Sequence, residues 1–216
     1  IDTHVHLTSH FNLNGTIHVD EPGDDGHTLL YALENAYATL MSGFTTVQSV
    51  GNYRDVELRA FLSRGMVPGP RVLTSLQPVT AQTGNPAFIR VFVQRLASIG
   101  ADVVKVMASD SIFDGGKRAM SDEQIEAACS EATAQGLRTL VHAYGSEVIS
   151  AAIRAGCTSI EHGVRYDDGV VALLAQKGTY LDPQIGLLYQ NYTDHRDRFV
   201  GFGSYTSMGY ARMEEA

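Results

Sequence analysis

Apolar and polar positions along the chain repeat one local pattern: a stretch of helical period, a glycine, then a short run rich in β-branched residues. It occurs as MSGFTTVQSV, SIGADVVKVMA, AQGLRTLVHAY, RAGCTSIEHG and QKGTYLDPQI. Gly43, Gly100, Gly136, Gly156 and Gly178 stand where a left-handed residue closes a helix. The preceding stretches predict one-sided helices. Leu29, Leu33, Ala36, Tyr37, Leu40 and Met41 fall on one face, as do Ile125, Ala128, Cys129 and Ala132, and Val148, Ile149, Ala152 and Ile153. Ser121 and Gln124 predict a capping box opening a helix over 121–135.

The strands predicted by the apolar runs are 1–7, 44–50, 70–76, 102–108, 138–144, 158–162 and 179–185. Most are continuously apolar, as when helices cover both faces of a sheet, and strict βα alternation predicts parallel pairing. An open doubly wound sheet gathers its site at one switch point, whereas a barrel draws on many strands around one mouth. Here the first, fourth, fifth and sixth strands each carry a chemically costly residue near the end. The expectation is an α/β fold of the (β/α)8 TIM-barrel type, with strands 1–7 present and strand 8 missing. The intervening segments 8–26, 109–120 and 186–206 read as long loops on the side where a barrel keeps its site. No linker interrupts the chain, so residues 1–216 are expected to be a single domain, part of a longer protein, since residue 1 already falls inside a strand. An isolated, open barrel of this kind is expected to be unstable or to aggregate.

Composition narrows the partners. The chain has 216 residues, 44% hydrophobic and 19% charged, with a net charge of −8. Without a basic stripe it is not expected to bind nucleic acid, and no apolar run reaches the roughly 20 residues that span a bilayer. A homo-oligomer is compatible with this composition. The compartment stays open, because an export signal would lie upstream of residue 1. Cys129 and Cys157 read as core residues, one on a helix face and one opening a strand, and the expectation is two thiols rather than a disulfide.

The candidate chemistry sits in the apolar runs, where a polar side chain needs a partner. His4 and His6, two apart on a strand, point to one face and can grip one metal ion; a solvated pair is the ordinary alternative. Lys105 lies in VVKVM, where desolvation lowers its pKa. Its neutral amine could form a Schiff base, or take up carbon dioxide to give a two-oxygen carbamate; a lysine snorkelling to water is the alternative. His142 in TLVHAY and His162 in SIEHG repeat one arrangement on consecutive βα units, as ligands or as core histidines. Glu161 is expected on the opposite face of its strand, in a structural role or in support of a metal ligand. Tyr144 could donate to a substrate carbonyl or carboxylate, and Arg165, Lys117 and Arg118 could meet an anionic group.

These residues, with GFTTVQSVG, VPGPRVLTS, ADVVKVMAS, LVHAYG and SIEHG, resemble the amidohydrolase superfamily of metal-dependent hydrolases over essentially the first 185 residues. The wording is similar to its imidazolonepropionase-like and Xaa-Pro dipeptidase-like branch. The resemblance implies a barrel with two divalent metal ions, usually Zn2+. His4 and His6 would hold the more buried ion and His142 and His162 the more exposed one, with carboxylated Lys105 and a hydroxide bridging them. It implies hydrolysis of a C–N bond, amide or peptide-like, in a small-molecule or dipeptide-like substrate. Family members also carry an aspartate ending strand 8 and a small flanking β-sandwich. Neither is found in these 216 residues, and Asp110 and Asp182 are the nearest substitutes, so this chain alone is expected to be inactive. Two other readings accompany this one: Schiff-base catalysis by Lys105, and a non-catalytic binding or scaffold protein descended from a hydrolase barrel.

Overall fold

Helices and strands alternate along the chain, which a computed structural model describes over residues 1–18, 25–184 and 189–216. Parts of the expected 8–26 and 186–206 loops and the last residue of the expected 179–185 strand lie outside the described residues. Two compact units are formed, Ile1–Pro78 and Val79–Ala216.

In the first unit β1 (Asp2–Val5), β2 (Thr46–Ser49) and β3 (Arg71–Thr74) make a parallel sheet in that order, with α1 (Asp25–Met41) and α2 (Asp55–Ser63) between them. Leu7, Ala32, Val47, Leu58 and Val72 form its core. The face expected of α1 is corrected here. Thr28, Ala32 and Ala36 are buried, while Tyr37 and Met41 are 48% and 66% exposed. The small side chain of Ala32 joins the core of this unit, and Tyr37 and Met41 are turned outward.

The second unit contains α3 (Pro86–Ser98), β4 (Val103–Met107), α4 (Asp122–Ala134), β5 (Arg138–Ala143), α5 (Ser146–Arg154), β6 (Ser159–His162), α6 (Asp168–Lys177) and β7 (Tyr180–Asp182). Its four strands pair in parallel in sequence order. Val79 covers the outer edge of β4, donating to the Lys105 carbonyl and accepting from Met107, both at 2.8 Å. Val104, Val106, Val141, Ala143 and Ile160 turn to the helices and meet Ile89, Val93, Ile125, Ile149 and Val170 in one core. The capping box at Ser121 forms as expected, Gln124 N donating to Ser121 Oγ and Ser121 N to Gln124 Oε1. All five glycines of the repeated pattern have a positive φ.

Three expectations change in this unit. Cys129 and Cys157 are joined in a disulfide, because the connection from α5 to β6, which carries Cys157, meets α4 and brings their Cα atoms to 5.1 Å. Of the expected 186–206 loop, the described residues 189–206 carry two short helices, α7 (Gln190–Asp194) and α8 (Arg196–Phe199), and α9 (Ser207–Glu215) follows. The strands also fall into a three-stranded and a four-stranded sheet, so the class is α/β with parallel sheets, consistent with a partial barrel rather than a closed one. Among the described residues no helix is long and apolar enough to cross a membrane.

Candidate active site

Strand register decides which side chains share a face. In the second unit Lys105 pairs with Leu140, Leu140 with Ser159, His142 with Glu161, and Glu161 with Asp182. Since strand side chains alternate, Lys105, His142, Glu161 and Asp182 all stand on the face away from the helical core. Glu161 therefore does not point away from the candidate residues, as its place beside His162 suggests. Lys105 and Glu161 are only 2% and 1% exposed. Burial lowers the Lys105 pKa to about 8, against the opposing pull of Glu161 and Asp182. Burial likewise raises the Glu161 carboxyl, against a hydrogen bond from Ser159 and the Lys105 charge.

His162 pairs with Ala143 and should turn to the helices, but its backbone is left-handed, with φ at 74°. Such a conformation is costly for a residue with a Cβ and persists only where its surroundings fix it. It swings the ring to within 4.7 Å of His142, edge to face, and stacks it at 5.5 Å on Tyr144. Tyr144 also meets His142 edge to face at 5.0 Å. His142 Nε2 lies 3.2 Å from the Asp110 carbonyl, which can only accept, so Nε2 carries the proton of that hydrogen bond, and in the neutral ring the lone pair falls to Nδ1. Tyr144 is buried, and burial with the neighbouring tyrosines pushes its hydroxyl well above the ordinary tyrosine range. It stays a proton donor at any working pH.

In the first unit the His4 and His6 rings lie 5.4 Å apart, tilted by 59°. Gln48 Nε2 anchors β1 by donating to the Thr3 carbonyl at 3.0 Å. Asp55 is fully buried at the start of α2; Thr74 Oγ1 donates to its Oδ2 at 2.8 Å and in turn accepts from Leu76 N at 2.9 Å. Burial raises the Asp55 carboxyl above its ordinary range, outweighing the Thr74 and Ser49 hydrogen bonds and the Arg59 charge.

Of the cationic candidates, Arg118 is committed elsewhere: it donates to the Met120 carbonyl and pairs with Glu147 and Asp122, so it is not available to a substrate anion. Arg165 is exposed, in the β6–α6 connection, and among the described residues it makes no ion pair. Its carbonyl lies beside Gly145, the residue after Tyr144. Sequence reasoning missed Glu161 and Asp182 as neighbours of Lys105; the period-two alternation running back from Lys105 through the strand pairing is the signal that finds them.

The sequence pattern of the amidohydrolase family matches residues 1–199. The chain belongs to that family. Among relatives of this amidohydrolase, the ochratoxinase of Aspergillus niger is 36% identical over 83 residues, 37% of this chain and 17% of that protein. An uncharacterized protein of Mycobacterium tuberculosis is 32% identical over 94 residues, 43% of this chain and 25% of that one. In fold, the amidohydrolase is similar to the crystal structure of a Xaa-Pro dipeptidase with bound methionine (TM-score 0.82, 24% identity, 99% of this chain and 58% of that chain). It is also similar to that of Aspergillus niger ochratoxinase (TM-score 0.76, 20% identity, 99% and 56%). The chain thus spans less than two thirds of each relative.

Proposed function

We propose that this chain is the barrel part of a metal-dependent hydrolase of C–N bonds, amide or peptide-like, acting on a small-molecule or dipeptide-like substrate. Family membership supports hydrolysis, and the likeness to a Xaa-Pro dipeptidase supports a dipeptide-like amide. The observation that carries the reading is the grouping of His142, His162 and Tyr144 on the sheet that also holds a buried Lys105, whose amine is half uncharged at about pH 8.

The donor set fits two divalent ions, with zinc the expected metal. His4 and His6 would hold one and His142, through Nδ1, and His162 the other, while carboxylated Lys105 would be a ligand to both. When bound, the ions supply Lewis acidity that brings the pKa of water from 15.7 towards about 7. Burial readies Lys105 for its part: the neutral amine nitrogen adds to the carbon of carbon dioxide and loses a proton, giving an anionic carbamate. Glu161 and Asp182, on the same face, add negative charge that favours cations there. Tyr144 donates to the carbonyl or carboxylate of the substrate. Arg165, exposed on the neighbouring connection, meets an anionic end of it.

The test is turnover of a panel of dipeptides and N-acyl amino acids by the longer protein that contains this chain, zinc-loaded and bicarbonate-treated. Chelation and the substitution Lys105→Ala should each abolish it. Activity that survives both would refute the reading. The lowered pKa of Lys105 also suits Schiff-base chemistry; a borohydride-trapped carbonyl adduct on Lys105 would favour that route instead.

A further inference from the structure

The connection between β4 and α4 is held from two sides. On one side it touches the histidine–tyrosine group. Ser109 Oγ accepts from Tyr144 N and the Asp110 carbonyl from His142 Nε2, both at 3.2 Å. Gly116, at φ 62°, lies so close that a Cβ there would sit 2.9 Å from that of Tyr144. On the other side it meets the 189–216 segment, through Phe113. The buried Phe113 ring makes edge contacts with Tyr192, Tyr205 and Tyr210 at 5.2, 4.8 and 5.2 Å. Arg212 Nη1 donates to the Phe113 carbonyl at 3.2 Å, and Ser204 Oγ to Asp114 Oδ2 at 2.6 Å. Gly209 leaves α9 flush against Phe113, where a Cβ would come within 3.2 Å of it.

A connection with two adjacent glycines loses much backbone freedom when it is fixed in one shape. The aromatic contacts of Phe113 offset that loss, since edge-to-face pairs contribute beyond the area they bury. The Asp110 carbonyl stands three residues from Phe113, and the hydrogen bond it accepts is already at the long end of the range. A small displacement breaks it.

We propose that Phe113 is a positioning residue for His142 and Tyr144. Packed by the 189–216 segment, it sets the Asp110 carbonyl, and that carbonyl keeps the His142 proton on Nε2 and the lone pair on Nδ1. The consequence for metal binding rests on His142 being a ligand; the effect on the His142 tautomer does not.

The experiment is a two-bond 1H–15N spectrum of the histidine-labelled, metal-free protein at about pH 8, where imidazole is neutral, paired with zinc titration. Wild-type His142 should show the Nε2–H tautomer. In Phe113→Leu and Arg212→Ala it should move towards Nδ1–H while melting stays cooperative, and zinc affinity should fall about 10-fold or more, as when an outer hydrogen bond to a ligand is lost. Arg90→Ala, which breaks the α3–α4 pair with Glu126, should change neither. If Phe113→Leu fails to fold, Arg212→Ala, which removes the bond to the Phe113 carbonyl and one to Met208 Sδ within α9, decides the matter. An unchanged tautomer in the folded variants, a wild-type Nδ1–H tautomer, or an equal response in Arg90→Ala would overturn the proposal. A tautomer response without zinc binding would support the positioning role and overturn His142 as a ligand.

Discussion

Lys105 and Glu161 share one face of the β4–β7 sheet, two strands apart, where water does not reach and each opposes the other's loss of charge. Desolvation wins for both. Lys105 is lowered to about 8 and Glu161 is raised, so the pair sits closer to neutrality than either group would in water.

Stability should therefore depend on pH through Lys105. Its folded pKa of about 8 lies below the ordinary 10.5, so the folded state binds fewer protons in that window. Stability is fullest above 10.5 and is lost as pH falls through 8. The loss is at most about 3 kcal/mol. Urea unfolding from pH 7 to 10 should show wild type gaining stability and Lys105→Met showing no such gain. A parallel rise in both would place the titration elsewhere. Glu161→Gln, which removes an attractive charge, should lower the pH at which Lys105 becomes reactive to an amine reagent.

Asp55 carries the opposite sign. A carboxyl raised by burial contributes stability below its ordinary pKa of 3.8 that is lost as pH rises through the folded value. Asp55→Asn, which can still accept from Thr74, should flatten this dependence and be no less stable at pH 7. Asp55→Ala strands the Thr74 hydroxyl and should cost about 1–3 kcal/mol. Thermal melts of the three proteins across pH 4 to 8 check this.

The disulfide closes a loop with a sequence separation of 28 residues. Constraining the unfolded chain by that much is worth about 3–4 kcal/mol. The denatured, unreduced protein should take up no iodoacetamide, and the Cys129→Ser, Cys157→Ser double variant should unfold at lower denaturant. Two alkylated thiols without reductant would contradict the pairing.

Gly116→Ala tests the seat of Tyr144. A side chain at a left-handed position costs about 1–3 kcal/mol, and here it also drives into the Tyr144 Cβ. Turnover should fall further than in Tyr144→Phe, which removes only the hydroxyl. Equal or greater loss in Tyr144→Phe would leave Gly116 a purely conformational role.

Much of this was legible in the sequence wherever local pattern decides structure. The strand positions came within about three residues because buried parallel strands are continuous apolar runs, and the Ser121 capping box was readable because its spacing is local. What failed depended on contacts far apart in sequence. The period places Ala36 on the inner face of α1 correctly, but it adds Tyr37 and Met41 where Thr28 and Ala32 belong, a rotation that only the burial shows. Cys129 and Cys157 look like separate core residues until the α5–β6 connection is brought against α4. Glu161 was misjudged because alternation was counted from His162, whose left-handed backbone breaks it. The aromatic, glycine-rich 189–206 segment lacks a helical apolar period, since its Tyr192 and Tyr205 rings converge on Phe113 rather than on a stripe.

The central claim is a pair of divalent ions with a carboxylated lysine, and carbon-13 is its most direct probe. Protein loaded with zinc in 13C-bicarbonate should bind two ions per chain by elemental analysis and show one carbamate resonance, and both the resonance and the second ion should be absent in Lys105→Ala. A chain that binds no stoichiometric metal and shows no carbamate resonance would contradict the account.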